Sequence, residues 1–265
     1  IIQSIEMSLK KRAKIEKKNR IGFVVFQGKG NLNLIDEELV RGLSGALKEI
    51  EKDPEVRVVV LEGYGERAFS AGVDIQLMKE ASPLDAEKFV RSLHSVIGSI
   101  MKLSRPVIAA IKGSCLGGSL ELAMACDIRI AADDAFFALP EIRVGIPSVI
   151  EASLLPRLIG WGRARELILT GETIGAQEAY QLGLVNRVVP RDRLEEETLS
   201  MAEKFVNLSP FTMGIQKDIF NKWLELGHEH AAEYSIKTLA MCFTSPHPRE
   251  GMEAFLQKRE PRYPT

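Results

Sequence analysis

Apolar residues fall along this chain in two alternating rhythms. Continuous β-branched and aromatic runs, "RIGFVVFQG" (20–28), "VRVVVLEG" (56–63) and "RPVIAAIKG" (105–113), each end in a glycine and read as strands. Between them the apolar positions recur at helical spacing. Leu39, Leu43, Ala46, Leu47 and Ile50 predict a helix over residues 36–53 capped by Asp36, and a second helix is expected over about residues 84–103. Unbroken apolar strand runs separated by helices imply a mostly parallel sheet covered on both faces.

The pattern changes downstream. After Asp127, "IRIAA" reads as a further short strand followed by "AFFALPE", and from about residue 150 the chain is mainly helical as far as "GLVNRVVP". Residues 191–259 read as helices alone, broken near Ser209-Pro210 and at Pro246-His247-Pro248. The expected organisation is an α/β core over residues 1–190 and a C-terminal helical region over residues 191–265. An all-helical tail of that length needs a partner surface for its apolar positions.

Composition alters this picture little. A chain of 265 residues, 45% apolar and 27% charged, can bury a substantial core without staples. A formal net charge of -1 gives no electrostatic reason to expect nucleic acid or an anionic membrane as partner. The basic stretch over residues 10–20 alternates with Ala13, Ile15 and Glu16, as on the wet face of a first strand rather than on a nucleic-acid arm. Cys115, Cys126 and Cys242 are odd in number and set in apolar surroundings, which suggests neither a disulfide framework nor a metal site and fits a reducing, cytoplasmic compartment. No apolar run reaches the roughly 18 residues needed to cross a bilayer, and no secretory signal opens the chain. The first residue is Ile1 rather than Met, which leaves room for a targeting segment upstream.

Three loops carry candidate chemistry. In "GGSLELAMACD" a helix beginning near Gly118 would surround Glu121 with Gly117, Gly118, Met124 and Ala125, an apolar setting that raises a carboxylate's pKa toward the range useful for moving protons. The plainer reading is a surface glutamate favoured by the helix dipole. Glu141, in "FFALPEIRVGIPS", is either a second proton-transfer group or a turn carboxylate in an ion pair. In "FSAGVDI", Gly72 permits an unusual backbone conformation, and with Gly117 and Gly118 it offers backbone amides to an oxyanion, or serves only to form turns.

Other signatures are missing from the sequence. It contains no GxGxxG fingerprint, no Walker A motif and no GxSxG elbow, and His94, His228, His230 and His247 form no HExxH or Cys/His ligand arrangement.

Taken in order, these loops resemble the enoyl-CoA hydratase/isomerase (crotonase) superfamily. The resemblance runs from about residue 15 to residue 263 and includes "NLNLID", "FSAGVDI", "RPVIAAIKGSCLGGSLELAMACDIRIA", "FALPEIRVGIP", "LTGETIGAQEAYQLGLVNRVVP" and "REGMEAFLQKREPRY". It implies a spiral of ββα units with a C-terminal helical region that forms trimers or hexamers. It further implies an acyl-CoA substrate, with coenzyme A as part of that substrate and no metal or redox cofactor. On this reading the backbone amides of Val73 and Gly118 hold the thioester oxygen. Glu121 orients and deprotonates the water that attacks Cβ, and Glu141 exchanges the proton at Cα. The coenzyme A arm would pass Leu32 and residues 73–76, including Asp74, Ile75 and Gln76, and Phe255 and Lys258 would reach the coenzyme A site of a neighbouring subunit. The implied activity is addition of water to a 2-enoyl-CoA. The same fold also serves double-bond isomerisation, acyl-CoA hydrolysis and hydration of cyclic or branched enoyl-CoAs, and it has non-catalytic and RNA-binding members.

One segment departs from the family pattern. Where typical hydratases carry a glycine-rich turn and a threonine-glutamine pair, this chain reads "GIPSVIEASLLPRLIG", about one residue shorter, with Ser148, Val149 and Ile150 in place of glycines and Glu151 as a third carboxylate. Either Glu151 enters the site and raises its acidic neighbours by repulsion, or it faces away and opens the next helix.

Overall fold

The computed structural model describes residues 12–264. A six-stranded sheet is built from β1 (Ala13–Lys18), β2 (Ile21–Phe26), β3 (Val58–Gly63), β5 (Val107–Ile111), β7 (Ile128–Ala132) and β10 (Arg187–Val189), adjacent in that order. Only the β1–β2 pair is antiparallel. A second sheet of four short strands joins β4 (Ala68–Ser70), β6 (Ser114–Leu116), β8 (Phe136–Ala138) and β9 (Ile174–Gly175). The basic stretch falls partly on β1, as expected, while Lys10 and Lys11 lie outside the described residues.

The unbroken apolar runs arise because both faces of the large sheet are covered. Val59, Leu61, Ala109 and Ile111 point into a core shared with α1 (Glu37–Lys52) and α3 (Pro83–Lys102). Their alternates Val58, Val60, Ile108 and Ala110 meet Leu194 and Ala202 of α8 (Leu194–Val206) on the other side. Asp36 caps α1 by accepting the Leu39 amide at 2.8 Å, as predicted from sequence. The boundary expected at residue 190 falls just before α8, which packs as a layer of the core. The helices that extend beyond the sheet are α9 (Pro210–Glu225), α10 (His228–Cys242) and α11 (His247–Leu256). The expected break at Ser209-Pro210 separates α8 from α9, that at Pro246-His247-Pro248 marks the start of α11, and a third break at Gly227 separates α9 from α10.

Shorter helices fill the turns: α2 (Ile75–Lys79), α4 (Gly118–Met124), α5 (Leu155–Ile159), α6 (Trp161–Thr170) and α7 (Ala176–Gln181). The short strands β4 and β6 lead directly into the loops before α2 and α4. The small sheet thereby brings two loops distant in sequence side by side. Cys115, Cys126 and Cys242 are all buried free thiols. Among the described residues no helix is long and apolar enough to cross a membrane.

Candidate active site

Two backbone turns form one rim of the site. Gly72 adopts φ +92°, and a Cβ there would sit 2.7 Å from the Leu116 carbonyl oxygen, so the loop after β4 can lie against the end of β6 only as glycine. Ile35 pairs with the same loop through its own amide to the Gly72 carbonyl (2.8 Å) and through the Asp74 amide to the Ile35 carbonyl (3.0 Å). That parallel pairing turns the Val73 amide to the opposite side. Gly118 opens α4, where its amide has no carbonyl one turn earlier to accept it. A Cβ on Gly118 would lie 3.3 Å from Val73 Cγ2, which sets the two turns in direct apposition.

Gly117 shows the second close approach. It holds φ +56° and ψ -131°, and a Cβ there would stand 2.5 Å from Glu141 Oε1. Glycine at this position therefore admits the Glu141 carboxylate to the start of α4. Glu141 begins a 3-10 turn (Glu141–Val144) directly after Pro140, and its Oε2 accepts the Ser148 hydroxyl at 2.7 Å.

Glu121 sits on α4, every residue of which is buried. It is 3% exposed, and its Oε1 accepts the Ala152 amide at 3.2 Å. Burial, reinforced by the charges of Glu141 and Glu151, pushes its pKa up to about 9. The surface reading of this glutamate is thereby excluded.

These residues line one cavity of about 580 Å³, a size suited to a small-molecule ligand. Val73, Gly117, Gly118, Glu121 and Glu141 share its wall with Ile75, with Phe89, Val90 and Leu93 of α3, and with Val149 and Ile150. The contribution of α3 was not anticipated. Its apolar spacing announced a buried face, but that a part of the face borders a cavity depends on which loops end beside it.

The other expected positions divide. Asp74 is buried, caps α2 through the Gln76 amide (3.0 Å) and binds Lys29 Nζ (2.5 Å), so its carboxylate is engaged in holding the loop. Leu32 is 40% exposed and accepts the Ala71 amide through its carbonyl at 2.9 Å, which places it beside the rim. Gln76 is exposed on α2. Phe255 and Lys258 are exposed and do not line the cavity of their own chain.

Glu151 does stand in the first turn of a new helical segment (Ile150–Leu154), yet it does not face solvent. It is buried, its Oε1 lies 2.6 Å from His94 Nδ1 on α3, and its Oε2 has no partner among the described residues. Desolvation raises its pKa, with His94 acting in the opposite sense.

An α/β core with a helical extension carries an apolar cavity in which buried Glu121 and half-buried Glu141 lie beside two apposed amide-bearing turns. The enoyl-CoA hydratase/isomerase family pattern matches residues 16–265, and the chain belongs to that family. It is 35% identical to the short-chain-enoyl-CoA hydratase of Clostridium acetobutylicum, with 93% of this chain and 95% of that protein covered. It is 32% identical to the crotonyl-CoA hydratase of Syntrophomonas wolfei, over 94% and 96% of the two chains. The crystal structure of an enoyl-CoA hydratase from Bacillus anthracis superposes with a TM-score of 0.90 at 32% identity, covering 96% of this chain and 99% of that one. The architecture is the crotonase fold.

Proposed function

We propose that this protein is an enoyl-CoA hydratase, adding water across the double bond of a 2-enoyl-CoA to give a 3-hydroxyacyl-CoA. The observation that carries the reading is the convergence of Glu121 and Glu141 on one apolar wall beside the Val73 and Gly118 amides. The relatives, named as hydratases and similar over nearly the full chain, support it.

In the reaction the thioester oxygen takes up negative charge as the C=C π bond breaks, and the amides of Val73 and Gly118 are oriented to stabilise it. The water oxygen bonds to Cβ and gives up a proton, while Cα receives one, so the two carboxylates exchange protons without net gain or loss. They act as one coupled unit. The family pattern assigns the water to Glu121 and the Cα proton to Glu141. In the reverse division the proton rests on Glu121, whose pKa burial raises, and passes from it to Cα. The pH dependence decides between them: kcat/KM climbs through the alkaline range if Glu121 is the base and falls there if it is the acid.

The coenzyme A arm would leave the cavity past Ile75 and Gln76 and the neighbouring Leu32. Coenzyme A enters as part of the substrate, and this chemistry needs no metal or redox group. Apolar side chains left open on the last helices, including Trp223, Ile236, Leu239 and Phe255, fit assembly as a trimer or a pair of trimers, in which Phe255 and Lys258 would meet a neighbour's coenzyme A. A cytoplasmic site of action suits the three buried free thiols. The test is incubation with a panel of enoyl-CoA thioesters followed by mass analysis. Gain of one water is expected; loss of coenzyme A, an unchanged mass with a moved double bond, or no reaction at all would overturn the assignment.

A further inference from the structure

The segment that departs from the family pattern touches both carboxylates. Ser148 donates its hydroxyl to Glu141 Oε2 at 2.7 Å, and four residues later the Ala152 amide donates to Glu121 Oε1 at 3.2 Å. Between these two contacts lie Val149 and Ile150, which line the cavity, and Glu151, which does not. Ile150 holds φ +43°, a left-handed conformation that is costly for a β-branched residue and persists only where the surroundings impose it. The bond that can impose it is the next side chain's: Glu151 Oε1 to His94 Nδ1 at 2.6 Å, which ties the turn to α3.

We propose that residues 148–152 form a bridge that positions both acids of the site, and that His94 and Glu151 are the positioning residues that pin it. The assignment rests on the hydratase reading for its kinetic consequences and on the geometry alone for its structural ones. Replacing glycines by this sequence converts a loop able to adopt many shapes into one with a fixed side-chain anchor at each end. The backbone amide of Ala152 can then meet Glu121 in one position only. Glu151 is 95% removed from solvent, bonded through one oxygen to a side chain of α3, and without a partner on the other oxygen among the described residues. Replacement of Glu151 by an apolar residue would relieve that burial but would also release the bridge.

The charged groups around this turn are few. From α3, His94 meets Glu151, while Arg91 one turn earlier is engaged by Glu87 at 2.7 Å. From α4 the only charged residue is Glu121, and from α5 it is Arg157, which is turned to the Leu224 carbonyl at 2.8 Å. Glu121 feels the charges of Glu141 and Glu151. Glu151 therefore acts on Glu121 both through the position of the Ala152 amide and through its own charge.

His94 is 61% exposed at its side chain, so its replacement tests the pin without a lesion in the core. With an enoyl-CoA that the wild type hydrates, His94→Gln is expected to lower kcat about 10- to 100-fold, as a misplaced reacting group does, with KM within about two-fold. His94→Lys, which places a hydrogen-bond donor opposite Glu151, should recover most of that loss. Glu151→Gln removes a negative charge near Glu121, so the limb of the kcat/KM pH profile that reports Glu121 should move to lower pH. Losses confined to thermal stability or to the folded fraction, with kcat and the pH limb unmoved, would overturn the proposal. The titration is also read without substrate: the infrared band of a buried protonated carboxyl that disappears in Glu121→Gln identifies Glu121. Its midpoint should fall in Glu151→Gln, and a midpoint that stays in place would overturn the proposal even if the wild type hydrated nothing.

Discussion

Glu62 and Glu121 are both buried carboxylates, one on each side of the large sheet, and they are treated oppositely. Glu62, at the end of β3, lies 2.5 Å from the Lys112 ammonium, and both side chains are buried. Burial raises its pKa and Lys112 partly offsets the rise. Among the described residues Glu121 has no cation beside it. Burial and the charges of Glu141 and Glu151 all raise its pKa, and the Ala152 amide alone acts in the opposite sense. A buried acid with a matched cation is a structural element, since the pair offers the proton nothing to do. A buried acid among acids holds a proton it can give up, which is what proton transfer at a substrate requires.

The largest expected effect would break the comparison outright. Glu121→Gln and Glu141→Gln should each lower kcat about 10²- to 10⁴-fold while leaving the affinity for a saturated acyl-CoA within about two-fold, as read by steady-state kinetics and calorimetry. Either variant retaining a third of wild-type turnover would place its residue among the structural acids with Glu62. Lys112→Met should act the other way, costing about 3 to 5 kcal/mol in denaturant unfolding by leaving Glu62 buried and unpaired, with kcat per folded molecule unchanged. The paired change Glu62→Leu with Lys112→Met should recover much of that loss.

Two smaller effects sharpen it. Gly117→Ala places a Cβ on the Glu141 carboxylate and should cost about 10²-fold in kcat by displacing it, together with a lower midpoint of unfolding because alanine is strained at φ +56°. The pH dependence of stability is the subtlest. Glu121 binds its proton more tightly folded (about 9) than at its ordinary 4.5, so the stability it contributes is complete below the lower value and drains away as pH rises toward the higher. Glu121→Gln removes that loss, and its Tm relative to wild type should rise steadily from about pH 5 to about pH 9. A constant difference would mean that Glu121 is not raised.

Much of this was legible without coordinates where a residue's own neighbours in sequence decide the outcome. The helix over residues 36–53 was readable because Asp36 caps it and its apolar positions keep one spacing, and both conditions are local. Glu121 was readable as unusual because the residues one turn away on α4 are small or apolar. The short strands β4, β6, β8 and β9 were less so, since two or three residues carry no period and become strands only when they find one another across the chain. Glu151 was left between two readings for the same kind of reason: its position in a first turn is local, while burial against His94, 57 residues earlier, is not.

The sequence by itself determined the alternation of strand and helix and the Asp36 cap, and it offered Glu121 and Glu141 with the glycines before them as candidate acids, because these follow from spacing, propensity and family pattern. Only the tertiary structure decided that Gly117 is where Glu141 enters, that Ser148 and Ala152 hold the two carboxylates from one segment, and that α8 belongs to the core rather than to the tail. Those outcomes depend on which surfaces meet. Burial and electrostatic repulsion act through space over a few ångströms, and the order of residues along the chain does not record which groups come that close.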